Sequence, residues 1–528
     1  MSSHLQSQLQ TLADPDAWPL LTNIRRGIEK ESLRISPEGK LAQTPHPTAL
    51  GSALTHSSIT TDYSEALMEF ITPVDTGIEA SLDTLENIHS FTYQKIDGDM
   101  LWSASMPCIM TGDDGIPVGR YGSSNVARMK TVYRYGLGHR YGRLMQAIAG
   151  IHYNFSMPTE FWDKAWLEAG SPGDLNSYIS ERYLGLIRNF HRHSWLLIYL
   201  FGASPAVCGS FLRGRTDHQL QPFDEQGRSL HLPYGTALRM GGLGYNSDAQ
   251  KSLNVCYNSL DNYIETLRAA ILQPHPGYQH IPCGQNGDYQ QLSTSLLQIE
   301  NEFYSPIRPK RVARSGETPL SALRRDGIEY VEVRCVDVSP FSPVGLDAGQ
   351  IRFLDTFLLY CLLEQSPACN ETEQACQAAN LEAVVNRGRE PGLQLDTATG
   401  KAPMADCANS LFADLLQVAQ LQDTASGSSA YTASTGEQHA KIADPELTPS
   451  ARILREMREQ DLPFFRLAMA YSTQWARYFR ERKLPADLQA AFEAETIRSL
   501  QAQSDIEAAD KISFEEYLAN YFKQYEAL

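Results

Sequence analysis

Hydrophobic and polar positions alternate along several short segments of the chain. In GIEKESLRI (residues 27–35), one face carries Glu29, Glu31 and Leu33, and the other Ile28, Lys30, Ser32 and Arg34. In GIHYNFSMP (150–158), His152, Asn154 and Ser156 share a face, backed by Ile151, Tyr153 and Phe155. GIEYVEVRCVDV (327–338) sets Tyr330, Glu332 and Arg334 opposite Val331, Val333 and Cys335. TDYSEALMEFIT (61–72) places Glu69 between Met68 and Phe70. A period of two predicts strands over 28–35, 66–72, 150–157 and 328–338. Helical spacing predicts helices over 80–96, 177–200 and 256–272. Strands separated by long excursions predict an α+β unit on a mostly antiparallel sheet.

Beyond residue 345 the pattern changes. Residues 390–404 and 422–438, rich in Gly, Ser, Thr and Ala, predict loops, the second mobile. Residues 449–460 and 484–528 predict helices that buttress the fold and carry no chemistry. We read 1–528 as a single unit, with 20–345 as the sheet core and 346–528 as a largely helical C-terminal part. No internal repeat is present.

Composition narrows the classes. The formal net charge is −17, and 20% of residues are charged. Such a surface argues against nucleic acid and anionic membranes, which attract clustered Lys and Arg. The first 20 residues lack the basic start and apolar run of a secretion signal. The apolar stretches 194–212 and 353–363 are interrupted or too short to span a bilayer, so they predict core. The nine cysteines form no Cys-x-x-Cys pair, and the expected compartment is a reducing cytoplasm.

The polar faces of the four strands then stand out. They offer Glu29, Glu31, Glu69, His152 and Glu332, with Asp62 nearby, rather than Thr, Ser and Lys. On one strand this could be a solvated edge. Residues two apart on a strand are separated by roughly 6.6 Å. Aligned in one sheet, these groups would repel unless cations sat among them. Carboxylates with one imidazole suit Mg²⁺ or Mn²⁺, and no thiolate or His-rich set suits zinc. Such a cage predicts phosphate chemistry. IRPKRVARSGE (307–317) adds Arg308, Lys310, Arg311 and Arg314, either as an anion contact or as a solvated basic loop. Arg334, on an apolar strand, needs an anion. His191 and His193 read as helical or core residues. No P-loop, kinase or G-x-S-x-G motif is present.

RRGIEKESLRI, GSALTHSSITTDYSEALMEFITP, TVYRYGLGHRYG, IAGIHYNFSMP, LFGASPAVC, LQIENEFYSPIRPKR and GIEYVEVRCVDVSPFSPVG occur in this order. Together they resemble the proteobacterial-type glutamate–cysteine ligases, densely over residues 20–350. The resemblance implies a curved, mostly antiparallel sheet of glutamine-synthetase-like type, lining a funnel-shaped active site with surrounding helices. It implies Glu29, Glu31, Asp62, Glu69, His152 and Glu332 as magnesium ligands or their immediate neighbours. Arg239 and Asn154 would hold the substrate glutamate. Tyr133, Leu137, Gln146, Tyr245 and Tyr304, with Tyr63, would form the cysteine pocket. Arg334, with Glu332, would be catalytic, Arg334 reaching the transferring phosphate. Arg308 and Lys310 would meet ATP. The family pattern leads us to expect phenylalanine at position 63, where this chain has tyrosine.

The implied reaction uses ATP to convert the γ-carboxylate of L-glutamate to an acyl phosphate, which the amine of L-cysteine then attacks. This is the first step of glutathione synthesis. No protein nucleophile is needed, so none of the cysteines is expected to be catalytic. A monomer is expected. The alternatives are an ATP-dependent carboxylate–amine ligase with another acceptor, a divalent-metal phosphohydrolase, and a non-catalytic scaffold.

Overall fold

A computed structural model describes residues 2–107, 109–212, 218–243, 250 and 253–528. Seven strands form the main sheet: β1 (Arg25–Ile35), β2 (Ile59–Thr61), β3 (Leu67–Ile71), β4 (Met100–Leu101), β5 (Ile151–Ser156), β6 (Ile307–Lys310) and β7 (Tyr330–Val336). Six run in the order β2-β3-β1-β5-β7-β6, every neighbouring pair antiparallel, and β4 pairs with the end of β1. All four strands predicted from alternation are present, within a few residues of their expected limits.

Register brings the polar faces together. Across β1 and β3, Glu31 lies opposite Glu69; across β1 and β5, Glu29 lies opposite His152. Glu332 on β7 lies opposite Asn154 on one side and Arg308 on the other. Between Val333 and Val336 the β7–β5 pairing shifts register. That irregularity sits beside Arg334, as bulges often do at functional sites.

The helices that matter here are α1 (Asn125–Tyr141), α2 (Leu175–Phe201), α3 (Ala348–Leu363) and α4 (Phe514–Ala527). Helices α2 and α3 pack on each other, and α2 also contacts β7. On α3 the capping box of Asp347 and Gln350 starts the helix, and Phe353, Leu354, Phe357 and Leu358 are fully buried. The other face of β1 meets this interior. Arg26 pairs there with Asp355 of α3 at 2.6 Å, and the Tyr153 hydroxyl donates to the same carboxylate at 2.6 Å. Lys30 lies 2.8 Å from Nε2 of His89, whose other ring nitrogen meets the Leu85 carbonyl. Burial pushes the Lys30 ammonium down to about 7.

Two expectations for the C-terminal part are corrected. Residues 422–438 are not a loop: helices Met404–Ser426 and Ala430–Ala443 meet at a tight corner, with Gly427 at φ +65°. The Asp423 carboxylate accepts from the backbone N–H groups of Tyr431 and Thr432 at 2.9 Å each, so it caps the second helix. The Gly-Ser-Ser signal marked a turn only three residues long. Residues 390–404 contain a hairpin, Gln394–Thr397 paired with Gly400–Pro403. Among the described residues no helix is long and apolar enough to cross a membrane.

Candidate active site

A cavity of about 470 Å³ opens over the polar face of the sheet. Glu29 and Glu31 of β1, Glu69 of β3, His152 of β5, and Glu332 and Arg334 of β7 all line it, with Asp62 just beyond β2. Six sequence-predicted acidic and imidazole groups, from four strands and one turn, therefore share one space.

Glu29, His152 and Glu332 offer ligand atoms within 4.8 Å of one another. His152 Nδ1 lies 3.3 Å from Glu29, and Nε2 lies 3.7 Å from Glu31. The donors are hard oxygens and one nitrogen, the chemistry that suits magnesium or manganese. Glu31 accepts from the Gly150 N–H at 2.6 Å. Burial raises Glu31, whereas burial and then the charges of Asp62, Glu29 and Glu31 push Glu69 well above the usual carboxylate range. Such mutual repulsion is what a bound cation relieves.

Glu332 sits at the junction with the basic groups. It is 3.0 Å from Arg334 and 3.3 Å from Lys310. Burial opposes its ionisation, but Lys310, Arg334, His152 and Arg308 together hold it well below the usual range. Arg334 is buried deep enough that its Nε finds no hydrogen-bond partner among the described residues, although Nη1 meets Glu332. The guanidinium lines the cavity, where its charge suits an incoming anion. The Nε of Arg308 is likewise unpartnered, and its Nη2 donates to the carbonyls of Asn301 and Phe303.

Tyr63, Tyr133, Leu137, Gln146 and Tyr304 also line the cavity. The Tyr304 N–H donates to Gln250 at 3.0 Å, and Gln250 in turn donates to the Glu302 carbonyl at 2.9 Å. The Tyr63 hydroxyl is buried without a hydrogen-bond partner among the described residues, pressed against Gly138, where an added Cβ would lie 2.5 Å away. Tyr245 lies outside the described residues.

Two predicted binders stand off the cavity wall. Arg239 is buried beneath Gly150, with Nε on Asp337 at 2.9 Å and Nη2 on the carbonyls of Arg334 and Val336 at 2.8 Å each. Asn154 donates to Glu29 at 2.8 Å, and its carbonyl oxygen has no partner among the described residues. Arg311 holds the Gly327 carbonyl, and Arg314 stands in the exposed turn after β6. Cys335 is buried on the other face of β7, where burial pushes its thiol up to about 12. The described cysteines are all free thiols. His191 and His193 are carried on α2.

Of one wall, the resemblance supplied only Tyr133 and Leu137. Helix α1 lays Val126, Met129, Lys130, Tyr133, Arg134, Leu137 and Tyr141 along the cavity, a strict i, i+3, i+4 stripe. Arg134 donates to the Asp62 carbonyl and lies over the Tyr121 ring at 4.5 Å. Burial, then Arg134, brings Lys130 down to about 8. The signal was there: Lys130 and Arg134 are one turn apart, each directly after an apolar residue, Met129 and Tyr133. The C-terminal helix α4 also reaches the site, through Tyr517 and Tyr521.

The family model described as glutamate-cysteine ligase matches residues 9–384 of the chain. The glutamate–cysteine ligase of Saccharophagus degradans is 50% identical over 524 residues, covering 99% of this chain and 98% of that protein. That of Pseudomonas aeruginosa is 49% identical over 521 residues, with the same coverage of each. The crystal structure of glutamate–cysteine ligase from Francisella tularensis, solved in complex with AMP, superposes with a TM-score of 0.89 at 35% identity, covering 96% of this chain and 98% of that one.

Proposed function

Since this chain belongs to the glutamate–cysteine ligase family, we propose that the cavity over the sheet is where glutamate, cysteine and ATP meet. The chain is an ADP-forming ligase that joins the γ-carboxylate of glutamate to the amine of cysteine, the first step of glutathione synthesis. Residues 20–345 carry the catalytic sheet, of glutamine-synthetase-like type, and the helical remainder encloses it as part of one unit. The protein acts as a monomer in the cytoplasm on these small molecules.

The observation that carries this reading is the junction at Glu332, where a cage of oxygen and nitrogen donors meets the Arg334 guanidinium on the cavity wall. A carboxylate resists attack by an amine because its carbonyl is a poor electrophile. Phosphorylation of the γ-carboxylate removes that obstacle, but it requires two anions to approach. Arg334, Lys310 and Arg308 stand where they can offset that charge. Magnesium held by Glu29, His152 and Glu332, with Glu31, Glu69 and Asp62 beside them, would neutralise the phosphate oxygens when bound. Asn154 steadies Glu29 for that task. Arg239, paired with Asp337, fixes the backbone of β7 behind Arg334 and so supports the wall that receives the substrate glutamate. The wall lined by Tyr63, Tyr133, Leu137, Gln146 and Tyr304 takes the acceptor cysteine. Arg334 then holds the departing phosphate while the amine attacks the acyl carbon.

The test is a coupled ADP-release assay with glutamate and Mg²⁺, with cysteine added or withheld. Matched amounts of ADP and γ-glutamylcysteine are expected, with little ADP when cysteine is absent. Sustained phosphate release without a peptide product would instead mean a phosphohydrolase.

The unpartnered Tyr63 hydroxyl yields a second expectation. Tyr63→Phe removes a buried polar atom whose hydrogen bond is already unmade, so stability should be unchanged or rise by about 1 kcal/mol. The KM for cysteine should move by less than about threefold, since a hydroxyl adds little selectivity to an apolar wall. Thermal unfolding and cysteine titrations check both.

A further inference from the structure

Helix α1, which lines the cavity, is fastened at its start by the C-terminal segment of the chain. Ser124 caps the helix locally, its hydroxyl accepting from the Ala127 N–H at 3.4 Å. The N–H of Asn125, the first helical residue, instead donates to the Asp510 carboxylate. The Asn125 side chain donates to the Ile512 carbonyl at 3.0 Å, and the Ser123 N–H donates to Glu507 at 2.8 Å. The first N–H groups of a helix have no partner within it, and its dipole favours negative charge there. Two distant carboxylates thus complete the start of α1.

The helix Ala486–Ala509, which carries Glu507, also holds the other approach to the site. Its Ser499 accepts from the Ser52 N–H at 3.1 Å, and its Gln503 accepts from the Ser52 hydroxyl at 2.6 Å. Glu495 accepts from the Ser57 N–H at 3.0 Å. Residues 52–57 run into β2 and on to Asp62 and Tyr63, while 123–125 run into α1 with Tyr133 and Leu137. The seam is tight: a Cβ on Gly122, at φ +112°, would lie 2.4 Å from Glu507 and Gln503. The turn after the helix is short. Asp510 and Ile512 meet Asn125, and Ser513 already caps α4 by accepting from the Glu516 N–H at 3.1 Å. Phe514 and Leu518 of α4 then pack with Met129 and Val132 of α1 in one apolar cluster, and Arg128 lies over the Phe514 ring at 4.3 Å.

We propose that Asp510 is a positioning residue for the ligase reaction: by pinning the start of α1, it sets where Tyr133 and Leu137 meet the acceptor. Asp510 is exposed, and exposed polar contacts add little to global stability. What this one fixes is the point at which α1 begins, and so the placement of the side chains that follow along the helix. The proposal rests on the acceptor wall assigned under the ligase reading above.

The test compares Asp510→Ala with Asp510→Asn, which keeps an acceptor oxygen, in the full-length enzyme. In Asp510→Ala the KM for cysteine should rise about fivefold and that for glutamate stay within about twofold, because the glutamate groups lie on the sheet. Asp510→Asn should fall within about twofold of wild type for both substrates. Hydrogen exchange read by mass spectrometry should quicken over residues 125–133 in the Ala variant and not in the sheet. A merely structural role would lower the amount of active enzyme and leave each KM unchanged, and that result overturns the proposal. Should Asp510→Ala fail to fold, Glu507→Ala, which breaks the Ser123 contact, carries the same expectation, and an unchanged KM for cysteine there is equally decisive. A wild-type enzyme that forms no γ-glutamylcysteine defeats the ligase reading and this proposal together. Unchanged KM values in an active variant defeat this proposal alone.

Discussion

Glu332→Gln lowers turnover about a hundredfold or more and raises the Mg²⁺ concentration needed for what remains. The Glu332 side chain is only 2% exposed and stands 3.0 Å from Arg334, 3.3 Å from Lys310 and 4.0 Å from His152. The amide keeps the shape and removes the charge. Arg334 and Lys310 then lose their common anion, and the cage loses one of its two carboxylates. Loss of one charged contact made in the transition state costs on the order of 3 kcal/mol. Arg334→Ala should cut turnover by a similar factor without moving the Mg²⁺ requirement, because it empties the anion side and leaves the cage intact. ADP release measured across a Mg²⁺ series, with circular dichroism to confirm folding, separates the two. Near-normal turnover in a folded Glu332→Gln protein would contradict the role given to this junction.

Asp355→Ala has the largest expected effect on stability. Its carboxylate is fully buried and is shared by the Arg26 guanidinium and the Tyr153 hydroxyl. Removing it leaves, among the described residues, a guanidinium in the interior bonded to the carbonyls of Ile24 and Thr76. Breaking one partner of a buried pair costs about 3–5 kcal/mol, because the remaining charge is uncompensated. Asp355→Asn, which still accepts from Tyr153, should cost less. Urea unfolding of the three proteins should rank them wild type, Asn, Ala. Activity should fall with stability, since Tyr153 and Arg26 hold β5 and β1 and thereby place His152 and Glu29.

The sheet was legible because the physics that makes it is local. Alternation over β1, β5 and β7 identified both the strands and the face that carries the acids. Strand β6 was not legible. Its sequence, Ile-Arg-Pro-Lys, has a proline and two cations, the marks of a basic loop. It is an edge strand, where a missing N–H is tolerated, and Pro309 sits opposite Val331 at the sheet's limit. Helix α1 was missed for a related reason. Its cavity stripe mixes Lys130, Arg134 and Tyr141 with Met129 and Leu137, so no apolar face separates from a polar one. A helix that lines a hydrated site is read more easily from charge spacing than from hydropathy. Tyr517 and Tyr521 depended on long-range packing that brings the last helix to the cavity's rim, and no local pattern announces that.

The two sides of β1 carry opposite signs: Glu29 and Glu31 toward the cavity, Arg26, Lys30 and Arg34 away from it. This polarity acts as a proofreading device during assembly. Sliding the strand by one position would bury two carboxylates at heavy desolvation cost and strip Asp355 and Asp99 of the arginines they pair with. A mispaired strand of this kind is penalised on both faces, so the groups needed for chemistry also favour the native register.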